Sequence, residues 1–270
     1  MTKLFVYGTL LPGQGRAEQL DGALRLGPAL LDGAELFDLD SFPGICPGQG
    51  QVVGEVYGVG RGFLSRLDNL EGYKQENPEE SLFVRRQASV RLLADGGRLD
   101  VEAYFYGRVT RSRLIRHGDY RRYRLEMKEG RLGVAAYGSN LDPERMRDRV
   151  GEVPEAKVGF IENFKLVFNK KSLDSTRANI RFSPGARAPA VVYLLNNEQI
   201  LKLDTCEKEP DHYLRVAMVF GSEVEKGPLV QGYIANPDRL TWESPPLKAY
   251  LKYIRKGYRH WGFDEGLLPG

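Results

Sequence analysis

One order of landmarks occurs twice in this chain, and that repetition limits its possible folds more than any single motif. Tyr7-Gly8-Thr9-Leu10 is echoed 130 residues later by Tyr137-Gly138-Ser139-Asn140-Leu141. Tyr57 is echoed by Tyr193, and Leu67-Asp68-Asn69-Leu70-Glu71 by Leu203-Asp204-Thr205-Cys206-Glu207, both at an offset of 136. Phe83-Val84-Arg85-Arg86 is echoed by Tyr213-Leu214-Arg215-Val216 at an offset of 130. Such a period is too long for a solenoid, and it predicts a duplicated domain. A chain of 270 residues is long enough for two.

The local patterns within each half are those of a small β-rich fold. Lys3 to Val6 and Val134 to Ala136 read as strands that stop at Tyr-Gly. In the second copy Ser139-Asn140 are turn residues. Asp142-Pro143-Glu144 then starts a helix, with Pro143 at its first position. A chain that turns from a strand into a helix start exposes backbone N–H groups, which together can cradle an anion. Further strands are predicted at Glu35 to Asp40, Gln51 to Val59, Phe83 to Leu93 and Leu99 to Tyr106, with Asp95-Gly96-Gly97 as a hairpin turn. Pro43-Gly44 and Pro47-Gly48 are read as breaks before the second of these. Phe63 to Gly72 is predicted as a short helix with Phe63, Leu67 and Leu70 on one face. In the second half, strands are predicted at Phe164 to Asn169, Ala178 to Phe182 and Ala190 to Leu195. A helix capped by Asn196 or Asn197 then runs through Ile200, Leu203 and Cys206. After Pro245-Pro246, Tyr250, Leu251, Ile254 and Tyr258 line one face of a last helix.

Several function classes are disfavoured. No stretch approaches the ~18 apolar residues of a membrane-spanning helix, and the N-terminus does not read as a signal peptide. Cys46 and Cys206 fall in different halves and form no CxxC pair, so neither a disulfide framework nor a zinc site is expected. A reduced cytoplasmic protein follows. His117, His212 and His260 are not spaced as a metal pair. No P-loop, dinucleotide fingerprint or GxSxG elbow is present, and no metal or other cofactor is expected. The segment 107–131 is rich in Arg with Tyr120 and Tyr123 interleaved, which raises nucleic-acid binding as a possibility. With no accompanying nucleic-acid motif, it reads as a solvated linker or capping segment, and no nucleic-acid partner is expected.

What remains for chemistry is one carboxyl per copy. Glu71 and Glu207 close their helices at the C-terminal end, where a negative charge opposes the helix dipole. A single helix-end Glu is commonplace. Two of them, each in a copy that also has a Tyr-Gly loop, favour a general acid/base. Tyr7, Tyr137, Phe83 and Tyr213 have a plainer alternative as core residues, and Asp68 and Asp204 as helix polar-face residues. Arg85 and Arg215 are open to a plain reading as strand surface residues.

These motifs resemble the gamma-glutamylcyclotransferase-like superfamily. Tyr137-Gly138-Ser139-Asn140-Leu141 is similar to the signature loop of gamma-glutamylcyclotransferases. Tyr7-Gly8-Thr9-Leu10, Phe42-Pro43-Gly44-Ile45-Cys46-Pro47-Gly48 and Gly54-Glu55-Val56-Tyr57 resemble the gamma-glutamylamine cyclotransferase and avirulence-induced plant branch. Ser244-Pro245-Pro246 and the helix after it resemble the C-terminal segment of the first branch. The resemblance implies an α+β, mostly β chain of two tandem small antiparallel β-barrel domains with short flanking helices. These would cover 1–122 and 131–270, with the basic linker at 107–131. It implies Glu71 and Glu207 as catalytic residues. It also implies a substrate site made of Tyr7, Gly8, Thr9, Leu10 and Phe83 in one copy, and of Tyr137, Gly138, Ser139, Asn140, Leu141 and Tyr213 in the other. The implied reaction releases 5-oxoproline from a small gamma-glutamyl amine, amino acid or peptide, without a cofactor. A non-catalytic module that binds a small carboxylate in the same pockets is the alternative. A monomer with packed repeats or a weak homodimer would suit either. Two departures stand out. Lys208 follows Glu207 where the family usually has Gly, which predicts a different turn and a nearby cation. Phe83 stands where Tyr is common.

Overall fold

The fold was read from a computed structural model that describes residues 1–153, 155–221 and 228–269. The chain divides into two compact units, Met1–Tyr123 and Arg124–Gly270. The division falls inside a short helix, α2 (Tyr120–Glu126).

Unit 1 is built on β1 (Thr2–Val6), β2 (Leu24–Asp38), β3 (Pro43–Val59), β4 (Phe83–Leu92) and β5 (Arg98–Tyr106). The strands follow the order β3-β1-β5-β4-β2, and β2 pairs back onto β3, closing a five-stranded barrel. A two-residue strand, β6 (Arg113–Leu114), hooks onto β2. All neighbours are antiparallel except β1 and β5. Strand alternation divides the apolar side chains between two cores. Phe5, Val52, Val56 and Val101 fill the barrel. Leu4, Val6, Tyr57 and Val59 face outward and are covered by α1 (Arg61–Glu71) through Phe63, Leu64, Leu67 and Leu70. The helix face predicted from sequence is the one that packs. Burying β1 on both faces explains why Leu4-Phe5-Val6 is a continuous apolar run rather than an alternating one.

Unit 2 repeats the order. β7 (Leu132–Ala136), β8 (Ala156–Lys171), β9 (Thr176–Leu195), β10 (Tyr213–Val219) and β11 (Leu229–Ala235) lie as β10-β11-β7-β9-β8. The pair β7 and β11 is again parallel. Among the described residues, β8 meets the chain just after β10 through one isolated bridge, Ile161 to Phe220, where β2 and β4 share a short ladder. α4 (Asn197–Glu207) occupies the place of α1, with Asn196 and Gln199 forming a full capping box. α3 (Pro143–Val150) follows the Tyr-Gly loop, capped by Asp142 with Pro143 at its start. α5 (Lys248–Trp261) buries Ile254, Gly257 and Tyr258.

Several expectations need correcting. β2, β3 and β9 are much longer than the short strands predicted. β3 begins at Pro43 and runs through both Pro-Gly pairs, so these are bends within a hairpin and not breaks. β9 unites the two predicted strands around Ser183-Pro184-Gly185. Local twists absorb the length: register shifts fall at Asp32/Ala34 and Glu162/Phe164, where Gly33 and Asn163 adopt positive φ. β11 had no predicted counterpart. The Arg-rich segment is not simply solvated, because Tyr120, Arg121 and Arg122 are buried. Arg121 donates to Glu55 at 2.9 Å, and Arg25 holds the other carboxylate oxygen of Glu55 at 2.8 Å. Arg121 and Arg122 thus cap the barrel and are not available as a nucleic-acid surface. Cys206 is exposed, not on the packed face of α4. No helix among the described residues is long and apolar enough to cross a membrane.

Candidate active site

In both units the loop that ends the first strand meets the end of the helix that follows the third. In unit 1, Tyr7, Gly8, Thr9 and Leu10 line a cavity of about 170 Å³ together with Glu71, Phe83 and Tyr104. The amides of Gly8, Thr9 and Leu10 donate to no group among the described residues, so they remain available to a ligand. Gly8 is required by close approach: a Cβ there would lie 2.7 Å from Pro43 Cγ. The Tyr7 ring is structural. Its hydroxyl donates to the Tyr104 carbonyl at 2.7 Å and accepts from the Ile45 amide at 3.3 Å. Burial raises its pKa well above the ordinary value. The tyrosine therefore pins the loop to β5 and β3, and the loop's main chain lines the cavity.

Glu71 accepts no hydrogen bond and makes no ion pair among the described residues. Burial raises its pKa to about 7, against the opposing pull of Arg16. Arg16 is exposed at the cavity rim and is likewise without an ion pair among the described residues. The helix end that carries Glu71 is itself clamped. Three residues earlier, Asp68 accepts from Arg85 Nε at 2.8 Å and from the Tyr104 hydroxyl at 2.8 Å. Arg85 also pairs with Glu102.

Unit 2 reproduces this clamp. Asp204 accepts from Arg215 Nε at 2.8 Å and from the Tyr233 hydroxyl at 2.7 Å. Arg215 also bonds Gln231 and Glu126. Arg85 and Arg215 are therefore partly buried and fully buried anchors, not surface residues, and the two Asp residues tie helix to sheet. The turn after α4 also matches. Lys208 adopts the left-handed conformation at φ 55°, as Gly72 does at φ 65°, and the same capping hydrogen bonds follow. The altered turn expected at Lys208 is not present; the lysine accepts the strain.

The second niche differs in its contents. Tyr137, Gly138, Ser139 and Asn140 approach Glu207, but the space they enclose with Tyr213 and Tyr250 is only about 40 Å³. Tyr213 donates to the Ala178 carbonyl at 2.8 Å, Tyr137 donates to the Tyr233 carbonyl, and the Tyr250 hydroxyl accepts from the Ala178 amide at 3.2 Å. Glu207 is occupied: Arg149 of α3 reaches its Oε1 at 2.5 Å and Asn140 donates to the same oxygen at 2.9 Å. Leu141 does not line the niche. It is fully buried, and its carbonyl accepts from Trp261 at 2.8 Å. Sequence reasoning missed Arg16, Tyr104, Arg149 and Tyr250. Only Tyr250 had a signal, as part of an apolar helix face.

No group of His, Cys, Asp or Glu among the described residues is arranged to hold a metal ion. The fold and the first cavity define a class: a small barrel that sets one protonatable carboxyl against a loop of open main-chain amides, suited to reactions that orient a substrate and move a proton. Residues 4–122 match the family described as gamma-glutamyl cyclotransferase, AIG2-like. The chain is 31% identical over 131 residues to gamma-L-glutamyl-butirosin B gamma-glutamyl cyclotransferase of Niallia circulans, covering 48% of this chain and 82% of that protein. It is 41% identical over 68 residues to the gamma-glutamylcyclotransferase family protein ytfP of Citrobacter rodentium, covering 25% of this chain and 60% of that relative's length. The crystal structure of YkqA from Bacillus subtilis shares the fold along almost the whole chain. Its TM-score is 0.76 over 98% of this chain and 94% of that one, at 19% identity. The chain belongs to the gamma-glutamylcyclotransferase-like superfamily.

Proposed function

We propose that unit 1 is a gamma-glutamyl cyclotransferase that releases 5-oxoproline from a gamma-glutamyl amine, amino acid or peptide, with Glu71 as its general base and acid. The observation that carries this reading is the state of Glu71. It is a partly buried carboxyl, free of partners among the described residues, with a pKa of about 7, in one cavity with the Tyr7 to Leu10 loop. A base with that pKa is half ionised at neutral pH, close to the optimum for proton transfer.

The steps follow from this placement. The neutral α-amine of the substrate attacks its own γ-carbonyl carbon, and a C–N bond forms. Glu71 takes one proton from the attacking nitrogen. The amides of Gly8, Thr9 and Leu10 hold either the developing oxyanion or the α-carboxylate. The bond to the original amine then breaks, and Glu71 returns its proton to the leaving nitrogen. The products are 5-oxoproline and the free amine, with Glu71 as it began. Because the attack is intramolecular, holding the chain in its folded-back conformer supplies most of the rate. Arg16 at the rim would pair with a substrate carboxylate. The relative named gamma-L-glutamyl-butirosin B gamma-glutamyl cyclotransferase supports a gamma-glutamyl substrate.

The shared strand order and the shared Asp-Arg-Tyr clamp support descent of the two units from one duplicated domain. The free thiols of Cys46 and Cys206 support a reducing, cytoplasmic setting. The test is to incubate the full chain with a panel of gamma-glutamyl compounds and follow 5-oxoproline. Product is expected from at least one of them, and Glu71→Gln should remove it. Product formation undiminished by that substitution would overturn the assignment.

A further inference from the structure

The small niche of unit 2 adjoins a larger cleft of about 590 Å³, with which it shares Ser139, Glu207, Tyr213 and Tyr250. Seven of its lining residues are Lys or Arg and one, Glu207, is acidic. Arg149 already neutralises Glu207, and Arg177 pairs with Asp174 at 3.2 Å. The remaining five (Arg145, Lys170, Lys171, Lys208 and Arg239) have no ion pair among the described residues. We propose that this cleft is a binding site for a small phosphate-bearing anion, distinct in ligand from the pocket of unit 1.

Lys170 carries most of the weight. It is 5% exposed, and its ammonium has one polar partner among the described residues, His212 Nδ1 at 3.0 Å. Burying an ammonium beside a neutral imidazole and four further cations without an ion pair is unfavourable unless an anion completes the site. Burial depresses the pKa of Lys170, although Glu207 opposes this. Burial, followed by Lys170 itself, depresses that of His212, so the imidazole adds no charge at neutral pH. The Nε of Arg145 is buried without a hydrogen-bond partner. Lys208 lines the cleft from a left-handed backbone position where unit 1 has glycine. Arg177 lies over the Tyr250 ring at 4.8 Å and Lys170 over the Tyr213 ring at 5.4 Å, giving the cleft an aromatic floor.

The charge pattern selects the ligand. A gamma-glutamyl group offers one α-carboxylate beside an α-ammonium, so this many cations gain little net attraction from it. A phosphate carries two charges on one tetrahedral group and accepts from both Arg forks and Lys point charges. The volume lies within the ~300–1,000 Å³ typical of small-molecule sites.

The inference shares its fold with the reading of unit 1 but not its residues, and binding tests it without turnover. Pyrophosphate is titrated into the full chain by calorimetry at low ionic strength, with citrate as a second probe. Pyrophosphate is expected to bind at least tenfold tighter than citrate, and to weaken at least tenfold when salt rises from about 0.05 to 0.5 M. Lys170→Gln should weaken it at least tenfold. If that buried substitution unfolds unit 2, Lys171→Gln with Arg239→Gln, both at exposed positions, carries the same expectation. Glu71→Gln should bind pyrophosphate like the parent chain, whatever its effect on 5-oxoproline formation. No binding at millimolar pyrophosphate, equal binding of citrate, or undiminished binding by the exposed double variant would each overturn the proposal.

Discussion

The two units place a glutamate at the same point of the same topology and surround it with opposite environments. Around Glu71 no described side chain donates to the carboxyl, Arg16 acts on it only through space, and burial lets it keep a proton up to a pH of about 7. Around Glu207, Arg149 donates directly, and the niche shared with Tyr137, Tyr213 and Tyr250 holds only about 40 Å³. Identical scaffolding does not set a carboxyl's chemistry. The groups that approach it do, and here they come from loops and one added helix outside the sheet. The comparison also explains why the clamp Asp-Arg-Tyr is kept in both units: it holds the helix to the sheet whatever the glutamate does.

The largest difference should appear in turnover. Glu71→Gln is expected to lower kcat by about 10²- to 10⁴-fold, the usual contribution of a general acid/base. Glu207→Gln should stay within about threefold, under about 0.7 kcal/mol of barrier. Equal losses from the two substitutions would erase the proposed contrast. The rate given by unit 1 should rise with pH and level off above about 7, as Glu71 loses its proton.

Next in size is a contrast in cores. Glu55 is 1% exposed. Burial alone would raise its pKa, but Arg25 and Arg121 more than offset this and bring it to about 2. The residue opposite the corresponding strand position in unit 2 is Val191, fully buried. Arg121→Ala leaves Glu55 short of a counter-charge and should destabilise unit 1 by about 3 kcal/mol, the low end for a broken buried pair because Arg25 remains. Because its folded pKa is depressed, Glu55 contributes stability above about pH 4.5 that is lost as pH falls toward 2. Acid unfolding followed by fluorescence or circular dichroism should therefore shift to higher pH in the variant.

Glu71 carries the opposite linkage. Its folded pKa is raised from 4.5 to about 7, so the folded state holds the proton more strongly than the unfolded chain. Its contribution is complete below about pH 4.5 and is lost as pH rises through 7, a change of roughly 3 kcal/mol. Glu71→Gln should consequently raise the melting temperature of unit 1 at pH 8 and leave it nearly unchanged at pH 5. A melting temperature that responds equally at both values would mean that Glu71 is solvated like any surface carboxyl.

Much of this contrast lay outside what the sequence discloses. The loops, the helix ends and both glutamates were legible because each depends on neighbours within a few residues: Tyr-Gly after an apolar run, Asp142 and Pro143 at a helix start, Asn196 before α4. The strand bounds were not. Pro-Gly pairs at 43–48 mark a bend, and only pairing with β2 shows that the strand continues through it. β11 shows no alternation, being buried along most of its length on both faces, with Gly232 beneath Met218. Arg149 and Arg121 were invisible for a common reason. Their partners lie 58 and 66 residues away, and nothing local to either arginine identifies a carboxylate that only the fold brings near.

The smallest predicted effect concerns the one turn where the units adopt the same backbone with different residues. Gly72 takes φ 65° and Lys208 φ 55°. An L residue with a Cβ pays about 1–2 kcal/mol for that region relative to glycine. Lys208→Gly removes this strain but gives the unfolded chain more freedom, worth about 0.5–1 kcal/mol in the other direction. The net gain for unit 2 should be under about 1 kcal/mol, measurable as a small rise in the chemical-denaturation midpoint of that unit. The reverse substitution, Gly72→Lys, should lower the midpoint of unit 1 by a comparable amount. It also sets a cation one residue from Glu71, which should draw the pH profile of turnover downward. If Gly72→Lys leaves that profile unmoved, the environment of Glu71 is governed by burial alone.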